Sequence, residues 1–218
     1  RRRVTAGALA AAFPDIDFVL GYISPSAYLL YHRGVTHSIF LLPIWAIALA
    51  WIFARLDPAR PRWQAYFGVV AGSIGIHILG DLITSFGTVM LAPFSDRRFA
   101  FDTTYIIDLW FTGIIVVALI AAFVWRRSRI PAVAGLAMLA GYVGLQAHAH
   151  SVAVDFGREY ARARGLGELR ITALPRPVSP FNWMVVVEDR DEFRYAFVNL
   201  VRQSPLPDAG VGAGLNTR

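Results

Sequence analysis

Two ionisable residues four positions apart interrupt an apolar stretch, GSIGIHILGDLITSFGTVMLAP. They are His77 and Asp81. On an α-helix this spacing stacks two side chains on one face, so an imidazole and a carboxylate can converge on one point. Ionisable side chains in an apolar run are costly unless a partner or an ion compensates them. We therefore interpret the pair as metal ligands, with a helix-packing hydrogen bond as the alternative.

A second polar cluster is HRGVTHS, which begins at His32 and includes His37. Gly34 can adopt positive φ, and Thr36 can cap a helix that begins immediately after it. A helix start of this kind favours an anion, and Arg33 could donate two hydrogen bonds to a phosphate or carboxylate. The alternative is a juxtamembrane arginine beside two interfacial histidines.

Several aspartates lie at the predicted helix ends or turns. Asp15 and Asp17 are two residues apart, which separates them on a regular helix but lets both face inward where Pro14 breaks the helix. A helix-terminating turn is the alternative for Asp15. Asp108 either joins the same site or caps the helix that follows it.

The composition limits both the setting of these residues and their chemistry. The chain is 56% hydrophobic, which is too apolar for an ordinary soluble domain and indicates a bilayer. It contains no cysteine, so a metal must be held by nitrogen and oxygen ligands. Imidazole and carboxylate ligands suit zinc, and also manganese or iron, in one or more ions. Zinc is the first expectation.

The apolar stretches predict an all-α multi-pass membrane protein with about four to five transmembrane helices. A spanning helix needs ~20 apolar residues. The candidates from Thr36 onward are Thr36 to Ala54, Trp63 to Gly80, Leu109 to Trp125 and Ile130 to about Val154. The segment before them, through Tyr31, is expected to cross once as a broken helix.

Arginine placement predicts the orientation, because positive charge near short loops stays on the cytoplasmic side. Three arginines belong to connections on one side, Arg33, Arg97 and Arg98. Nine belong to the other side: Arg1, Arg2, Arg3, Arg55, Arg60, Arg62, Arg126, Arg127 and Arg129. The polar clusters are therefore expected on the extracytoplasmic side.

The chain changes character beyond Val154, which predicts three regions. These are a transmembrane metal-site domain at 1–154, a small α+β domain at 155–203 and a disordered tail at 204–218. Asn182 to Glu188 and Phe193 to Val201 are rich in β-branched and aromatic residues and predict a hairpin. The C-terminal part has nine arginines against eight acids, so no basic patch indicates nucleic acid.

Several motifs in the same order resemble the YdjM-type membrane-bound metal-dependent hydrolases, a LexA-regulated family. They are PDID from Pro14, HRGVTHS, the segment HILGDLITSFGTVMLAPFSDRRF from His77, and the aspartate of IIDLW. The resemblance covers roughly residues 4–125, and the C-terminal part resembles the extension of a longer branch of the family. HILGD is also similar, more distantly, to the zinc-binding helix of phospholipase C and P1-type nucleases.

The resemblance implies a hydrolase of a bacterial or archaeal cytoplasmic (inner) membrane, with a metal-activated water as nucleophile. The implied metal ligands are Asp15, Asp17, His32, His37, His77 and Asp81. Asp17 and Arg33 are the expected catalytic residues, and Arg33, Thr36 and Thr84 are expected to bind substrate. The family usually begins with a Thr-His-x-x-x-Gly segment, so an N-terminal segment with one more ligand is expected to precede this sequence. For His148 and His150, two apart on a helix, a structural role is expected.

A phosphoester in a lipid or another amphiphile is the expected substrate, since a site at the interface can receive a lipid laterally. Membrane lipids are therefore the expected partners. A peptide or acyl ester is the alternative substrate. The rival function is a non-catalytic membrane protein that binds or carries a metal, or serves as an interaction scaffold.

Overall fold

The computed structural model of the protein describes residues 2–165, 170–189 and 192–201. Within them the chain forms two compact units, one up to Phe101 and one from Asp102 onward. The first unit is helical, and the second combines helices with a small sheet. The prediction of a mostly helical chain with a small sheet in its C-terminal part is confirmed.

The first unit is built from five α-helices and two short 3₁₀ helices. In chain order they are α1 (Arg2–Ala12), a 3₁₀ helix (Pro14–Val19), α2 (Leu20–Ile23), α3 (Pro25–Tyr31), a second 3₁₀ helix (Val35–His37), α4 (Leu42–Leu56) and α5 (Gln64–Leu82).

Small residues at four-residue spacing hold α1, α4 and α5 together. Ala46, Ala50 and Ala54 lie on one face of α4 and are buried. They share a core with Ala6 and Ala10 of α1 and with the buried face of α5, which consists of Tyr66, Val70, Ile74 and Ile78. Alanine lets helix backbones approach closely, which is the usual basis of helix packing in membranes. Other large apolar side chains of α4 and α5 lie on the outer faces, among them Ile44, Trp51, Ile76 and Leu79.

The first predicted span does not run unbroken from Thr36 to Ala54. The helical segments Pro25–His37 and Leu42–Leu56 meet at an angle of 76°. Between them Ser38 Oγ accepts hydrogen bonds from the backbone N–H groups of Phe40, at 3.2 Å, and Leu41, at 3.4 Å. These bonds stabilise a turn, so the regular helix begins at Leu42 rather than at Thr36.

The number of crossings depends on how the bent segments are counted. Among the described residues, α5 and α7 (Ile130–Ala163) are each long and apolar enough to cross a membrane. Two bent pairs raise the number to four if each pair is one span, namely Arg2–Ala12 with Pro14–Ile23 and Pro25–His37 with Leu42–Leu56. Helix α6 (Leu109–Val124) is apolar but has only 16 residues. The helices therefore provide two to four candidate spans.

A polar cluster lies where α4 is connected to α5. Asp57 is buried and forms an ion pair with Arg2 of α1. The hydroxyl of Tyr66 donates a 2.7 Å hydrogen bond to Asp57 Oδ2, and the backbone N–H of Ala59 donates to Oδ1 at 2.9 Å. The hydrogen bond from Tyr66 contributes most, and together these bonds hold the pKa of Asp57 below its usual value. The cluster joins α1 to the α4–α5 connection.

The second unit consists of α6, α7 and an antiparallel sheet in the order β1-β2-β3. The strands are β1 (Arg170–Pro175), β2 (Asn182–Asp189) and β3 (Glu192–Asn199). Strands β2 and β3 form the predicted hairpin. Sequence reasoning did not predict β1. Pro175 is the last residue of an edge strand, a position that tolerates proline although it has no backbone N–H to donate to a neighbouring strand.

One face of the sheet packs against the C-terminal half of α7. Trp183, Val185 and Val187 alternate along β2 and are buried with Ala149 and Ala153 of the helix. Helix α7 is continuous through residue 154, where the sequence predicts a domain boundary. That division stays a prediction. The predicted tail at 204–218 lies outside the described residues.

Candidate metal centre

Four side chains of the first unit bring ligand atoms to one point. They are Asp15, His37, His77 and Asp81, and one nitrogen or oxygen of each lies within 4.8 Å of the others. The two imidazole Nε2 atoms are 3.3 Å apart. Asp81 Oδ2 is 2.9 Å from the Nε2 of His37 and 3.3 Å from that of His77. Asp15 Oδ1 lies 3.8 Å and 3.4 Å from the same two nitrogens.

Local conformation explains how these ligands meet. His77 and Asp81 are one turn apart on α5, as predicted. Asp15 lies in the 3₁₀ helix that begins at Pro14, and the bend of 41° after α1 brings this turn to α5. His37 ends the other 3₁₀ helix, where its backbone N–H donates to the carbonyl of Gly34 at 3.0 Å.

The loop before His37 differs from its predicted conformation. Arg33, not Gly34, has positive φ, at 57°. Gly34 has φ −96° and ψ −116°, a backbone region that side-chain-bearing residues avoid. A Cβ at Gly34 would lie 2.7 Å from the carbonyl oxygen of Tyr31. Glycine is therefore needed here for a close backbone approach rather than for a left-handed turn.

The four side chains could together hold a metal ion. Asp81 Oδ2 is buried and has no hydrogen-bond partner in the described part of the chain, although it lies 2.9 Å from His37 Nε2. Two neutral imidazole nitrogens that face each other can share at most one proton. A cation among them would accept lone pairs from both nitrogens and from the carboxylates. Two nitrogen and two oxygen ligands suit zinc, manganese or iron.

The centre is open on one side. The side chain of His37 is fully buried, and those of His77 and Asp81 are 15% and 12% exposed. Asp15 is 52% exposed. Solvent can therefore reach the cluster past Asp15, which places this aspartate at the mouth of the candidate site.

Asp17 lies beside this centre and is held by hydrogen bonds. Its Oδ1 is 2.6 Å from Nδ1 of His32, and its Oδ2 accepts from the backbone N–H of Arg33 at 3.0 Å and from the Thr36 hydroxyl at 2.7 Å. Asp17 also belongs to a second possible group of ligands, with Asp15 and His32. Its expected role as metal ligand or general base stays a prediction, and its contacts indicate that it orients neighbouring groups.

Thr36 connects Asp17 to His37. The Thr36 hydroxyl lies 3.0 Å from His37 Nδ1. Because this hydroxyl already donates to Asp17, it must accept from Nδ1, which leaves Nε2 of a neutral His37 with its lone pair directed at the centre. The predicted helix cap at Thr36 is wrong. The residue lies inside a 3₁₀ helix, and its side chain bonds to Asp17 rather than to the start of α4.

Arg33 and Thr84 point into the protein. Arg33 is buried and pairs with Asp81, with Nη2 2.9 Å from Oδ1. Its Nη1 donates to the Thr84 hydroxyl at 2.7 Å, and that hydroxyl donates to the Asp81 carbonyl oxygen at 2.7 Å. Binding of substrate by either residue stays a prediction, since the contacts observed here hold Asp81 in place.

Arg98 is a site-supporting residue that sequence reasoning did not single out. Its guanidinium donates to the carbonyl oxygens of Leu29, Leu30, His32 and Gly87, at distances of 3.0 to 3.2 Å. Three of these carbonyls lie at or next to the C-terminal end of α3, where helix carbonyls lack partners. The bonds tie the His32 loop to the loop after α5. The sequence feature that could have indicated this role is the position of the arginine within the motif SDRRF.

His32 and two aromatic residues form the wall beside Asp17. The imidazole of His32 stacks on Tyr28, with ring centroids 4.5 Å apart, and contacts Phe86 edge-on at 5.3 Å. The guanidinium of Arg33 lies 5.3 Å from the Phe86 ring centroid. Neither aromatic residue was singled out from the sequence, because aromatic side chains in an apolar chain carry no distinct signal.

The remaining polar residues of interest lie in the second unit. Asp108 is the N-cap of α6, and its Oδ1 accepts from the backbone N–H of Phe111 at 2.8 Å, so the capping alternative is confirmed. Its Oδ2 accepts a 2.8 Å hydrogen bond from Tyr142. His148 and His150 belong to no possible metal group within the described residues. His150 packs edge-on against Trp183, at 5.6 Å, in agreement with a structural role.

Comparisons with known proteins agree with this description. The chain is 26% identical over 131 residues to the uncharacterized protein YfhP of Bacillus subtilis. The match covers 60% of this chain, and the chain spans only 39% of the length of that relative. No solved structure matches the chain. The similarity to phospholipase C and P1-type nucleases is not shown.

The family comparison is more extensive. Residues 1–152 match the YdjM inner membrane protein family, so the match includes the whole metal centre and most of α7. It confirms the family expected from the motifs and a location in the membrane. The chain belongs to the YdjM inner membrane protein family.

Proposed function

We propose that the protein is a membrane-embedded, metal-dependent hydrolase that cleaves a phosphoester in a lipid or another amphiphilic substrate. The observation that supports this proposal is the meeting of Asp15, His37, His77 and Asp81 in a cluster that is open to solvent on one side. The bilayer crossings number four to five in this proposal. The centre and the sheet face the extracytoplasmic side, because nine arginines lie on the opposite connections and three on this one.

The residues have distinct tasks in this proposal. His37, His77 and Asp81 would hold the ion from the buried side, and Asp15 would complete the ligand set at the mouth of the site. Zinc is our first choice, and manganese or iron would suit the same ligands. A divalent ion held here would polarise a water molecule and provide a hydroxide nucleophile near neutral pH.

The surrounding hydrogen bonds preorganise the ligands. Asp17 and Thr36 fix the tautomer of His37, and Arg33 with Thr84 fixes the Asp81 carboxylate. Such partners keep ligands in place during a reaction and tune their basicity. The Nε of Arg33 is buried without a hydrogen-bond partner among the described residues, so the guanidinium retains one donor beyond its bonds to Asp81 and Thr84.

The membrane setting supports an amphiphilic substrate. Large apolar side chains flank the cluster and are exposed, including Ile16 and Val19 after Asp15 and Ile76 before His77. A lipid could place its head group at the open side of the centre and keep its chains among these residues. The positive charge of the ion favours a phosphate head group, whose negative charge increases as the nucleophile attacks.

The test uses purified, metal-loaded protein with extracted membrane lipids, followed by mass spectrometry of the products. Asp81→Asn removes a ligand charge, and His148→Ala is the matched control outside the centre. We expect the wild type and the control to release a phosphate-bearing head group, and Asp81→Asn to release none.

Two results would contradict the proposal. Cleavage of a peptide or acyl ester with unchanged phospholipids would replace the phosphoester assignment. Metal binding without turnover of any of these substrates would indicate the non-catalytic metal-binding protein instead.

A further inference from the structure

We propose that the loop between β1 and β2, residues 176–181, lies in the lipid head-group region of the membrane and anchors the sheet there. This loop is called the tip loop below. The proposal concerns the second unit alone and is independent of the proposed hydrolase activity.

The packing of β2 on α7 places the tip loop at the membrane surface. Helix α7 begins after Arg129, and a hydrocarbon layer of about 30 Å is crossed by roughly 20 helical residues. The crossing is therefore complete near His150. The ring of His150 contacts Trp183 at 5.6 Å, and Trp183 is the second residue of β2. The residues just before β2 thus lie where α7 leaves the hydrocarbon.

The direction of β2 makes the tip loop the end of the sheet nearest to the bilayer. A Cβ at Gly157 of α7 would lie 2.8 Å from Val185 and 3.8 Å from Val187. Trp183 contacts α7 two turns earlier, at His150. Strand β2 therefore runs along α7 away from the membrane, with the tip loop at its near end.

A hydrogen bond from α6 supports this position independently. The indole Nε1 of Trp110 donates to the carbonyl oxygen of Val178 at 3.1 Å. Trp110 lies in the first turn of the apolar helix α6. Tryptophan at the end of an apolar helix is typical of the membrane–water interface. The tip loop is thus tied to the level at which α6 begins.

The exposed chemistry of the tip loop suits the boundary between head groups and acyl chains. Val178 is 69% exposed and has φ 80°, an uncommon conformation for a β-branched residue that directs an apolar side chain outward. Arg176 is also exposed, and its guanidinium lies 4.3 Å from the ring centroid of Phe197, which is 51% exposed. Apolar side chains beside an arginine match acyl chains beside lipid phosphates.

The absence of cysteine allows a direct test. A fluorescent label is attached to Val178→Cys, and the labelled protein is reconstituted into phosphatidylcholine vesicles. Arg170→Cys, exposed at the far end of β1, is the matched control. Brominated lipids report contact with acyl chains, and iodide reports contact with water. We expect the label at 178 to be quenched several times more strongly by brominated lipid than the label at 170, and less strongly by iodide.

Two outcomes would overturn the proposal. Equal quenching by iodide at positions 178 and 170, with no effect of brominated lipid, would place the tip loop in water. Protection at position 178 from both quenchers would indicate a protein contact, such as a second copy of the chain. Phe197→Cys provides a second reporter at the same end of the sheet if Val178→Cys does not fold.

Discussion

The Nε2 atoms of His37 and His77 lie 3.3 Å apart, although forty positions separate the residues in the chain. Asp81 Oδ2 approaches both nitrogens, and no hydrogen bond within the described residues satisfies it. Two imidazole nitrogens and a carboxylate oxygen are thus held together by the fold. A bound cation would accept lone pairs from all three, and the first three predictions test the centre on that basis.

Replacement of His77 by alanine should remove most of the bound metal. The loss of affinity should exceed the roughly 10–100-fold effect of removing an outer partner of a metal ligand. Elemental analysis of detergent-purified protein measures the metal directly. His148→Ala is the control, since this histidine belongs to no possible metal group in the described chain. Equal metal content in both variants would exclude His77 as a ligand.

Asp17→Asn should weaken metal binding by about 10–100-fold without abolishing it. The reason is that Asp17 orients His37 through the Thr36 hydroxyl. Competition with a chelator measures the affinity, and Thr36→Val should have an effect in the same direction. If Asp17→Asn loses metal as completely as Asp81→Asn, Asp17 is itself a ligand, as the resemblance implies.

Arg33→Lys separates positioning from substrate binding. A lysine cannot bridge Asp81 and Thr84 with two fixed donors, so we expect weaker metal binding. Thr84→Val removes one of the two partners and should give a smaller decrease in the same chelator titration. Unchanged metal affinity in Arg33→Lys, together with a lower rate of lipid hydrolysis, would assign Arg33 to the substrate instead.

Gly157→Ala should destabilise the contact between α7 and the sheet. A Cβ there would lie 2.7 Å from Ile171 Cγ2 and 2.8 Å from Val185 Cγ1, and overpacking of this kind costs about 1–3 kcal/mol. A fall of several degrees in Tm is expected in detergent. At Gly144 on the same helix, an added Cβ would meet no other part of the described chain within 4 Å, so Gly144→Ala should not lower the Tm. Equal Tm values would show that the sheet adjusts to the added methyl group.

The orientation can be tested with single cysteines in the loops. Asp96 and Arg127 are both exposed and precede and follow α6. An impermeant thiol reagent should label Asp96→Cys in intact cells and Arg127→Cys only after the membrane is broken. The reverse pattern would place the metal centre on the cytoplasmic side.

Local periodicity accounts for the features that could be predicted. The four-residue spacing of His77 and Asp81 placed both on one face of α5, and runs of β-branched and aromatic residues predicted the β2–β3 hairpin. Such patterns depend on neighbours within a turn or a strand, so the chain carries them without a partner. The composition likewise indicated the membrane and excluded thiolate ligands.

The start of α4 and the conformation of the 32–38 loop could not be predicted from local sequence patterns. An apolar run from Thr36 to Ala54 reads as one helix, but the hydrogen bonds of Ser38 and the bend of 76° begin the regular helix at Leu42. Glycine suggested positive φ at Gly34, whereas Arg33 has the positive φ and Gly34 makes a close approach to Tyr31. Both outcomes depend on where the rest of the chain lies.

The sequence alone determined which residue types could bind a metal, because ligand chemistry is a property of each side chain. Only the tertiary structure decided their arrangement. It brings Asp15 to His37 and His77, turns Asp17 toward His32 and Thr36, and directs Arg33 at Asp81. These contacts join residues 15 to 62 positions apart, and no local pattern specifies them, since they form only when the 3₁₀ turns, the His32 loop and α5 pack together.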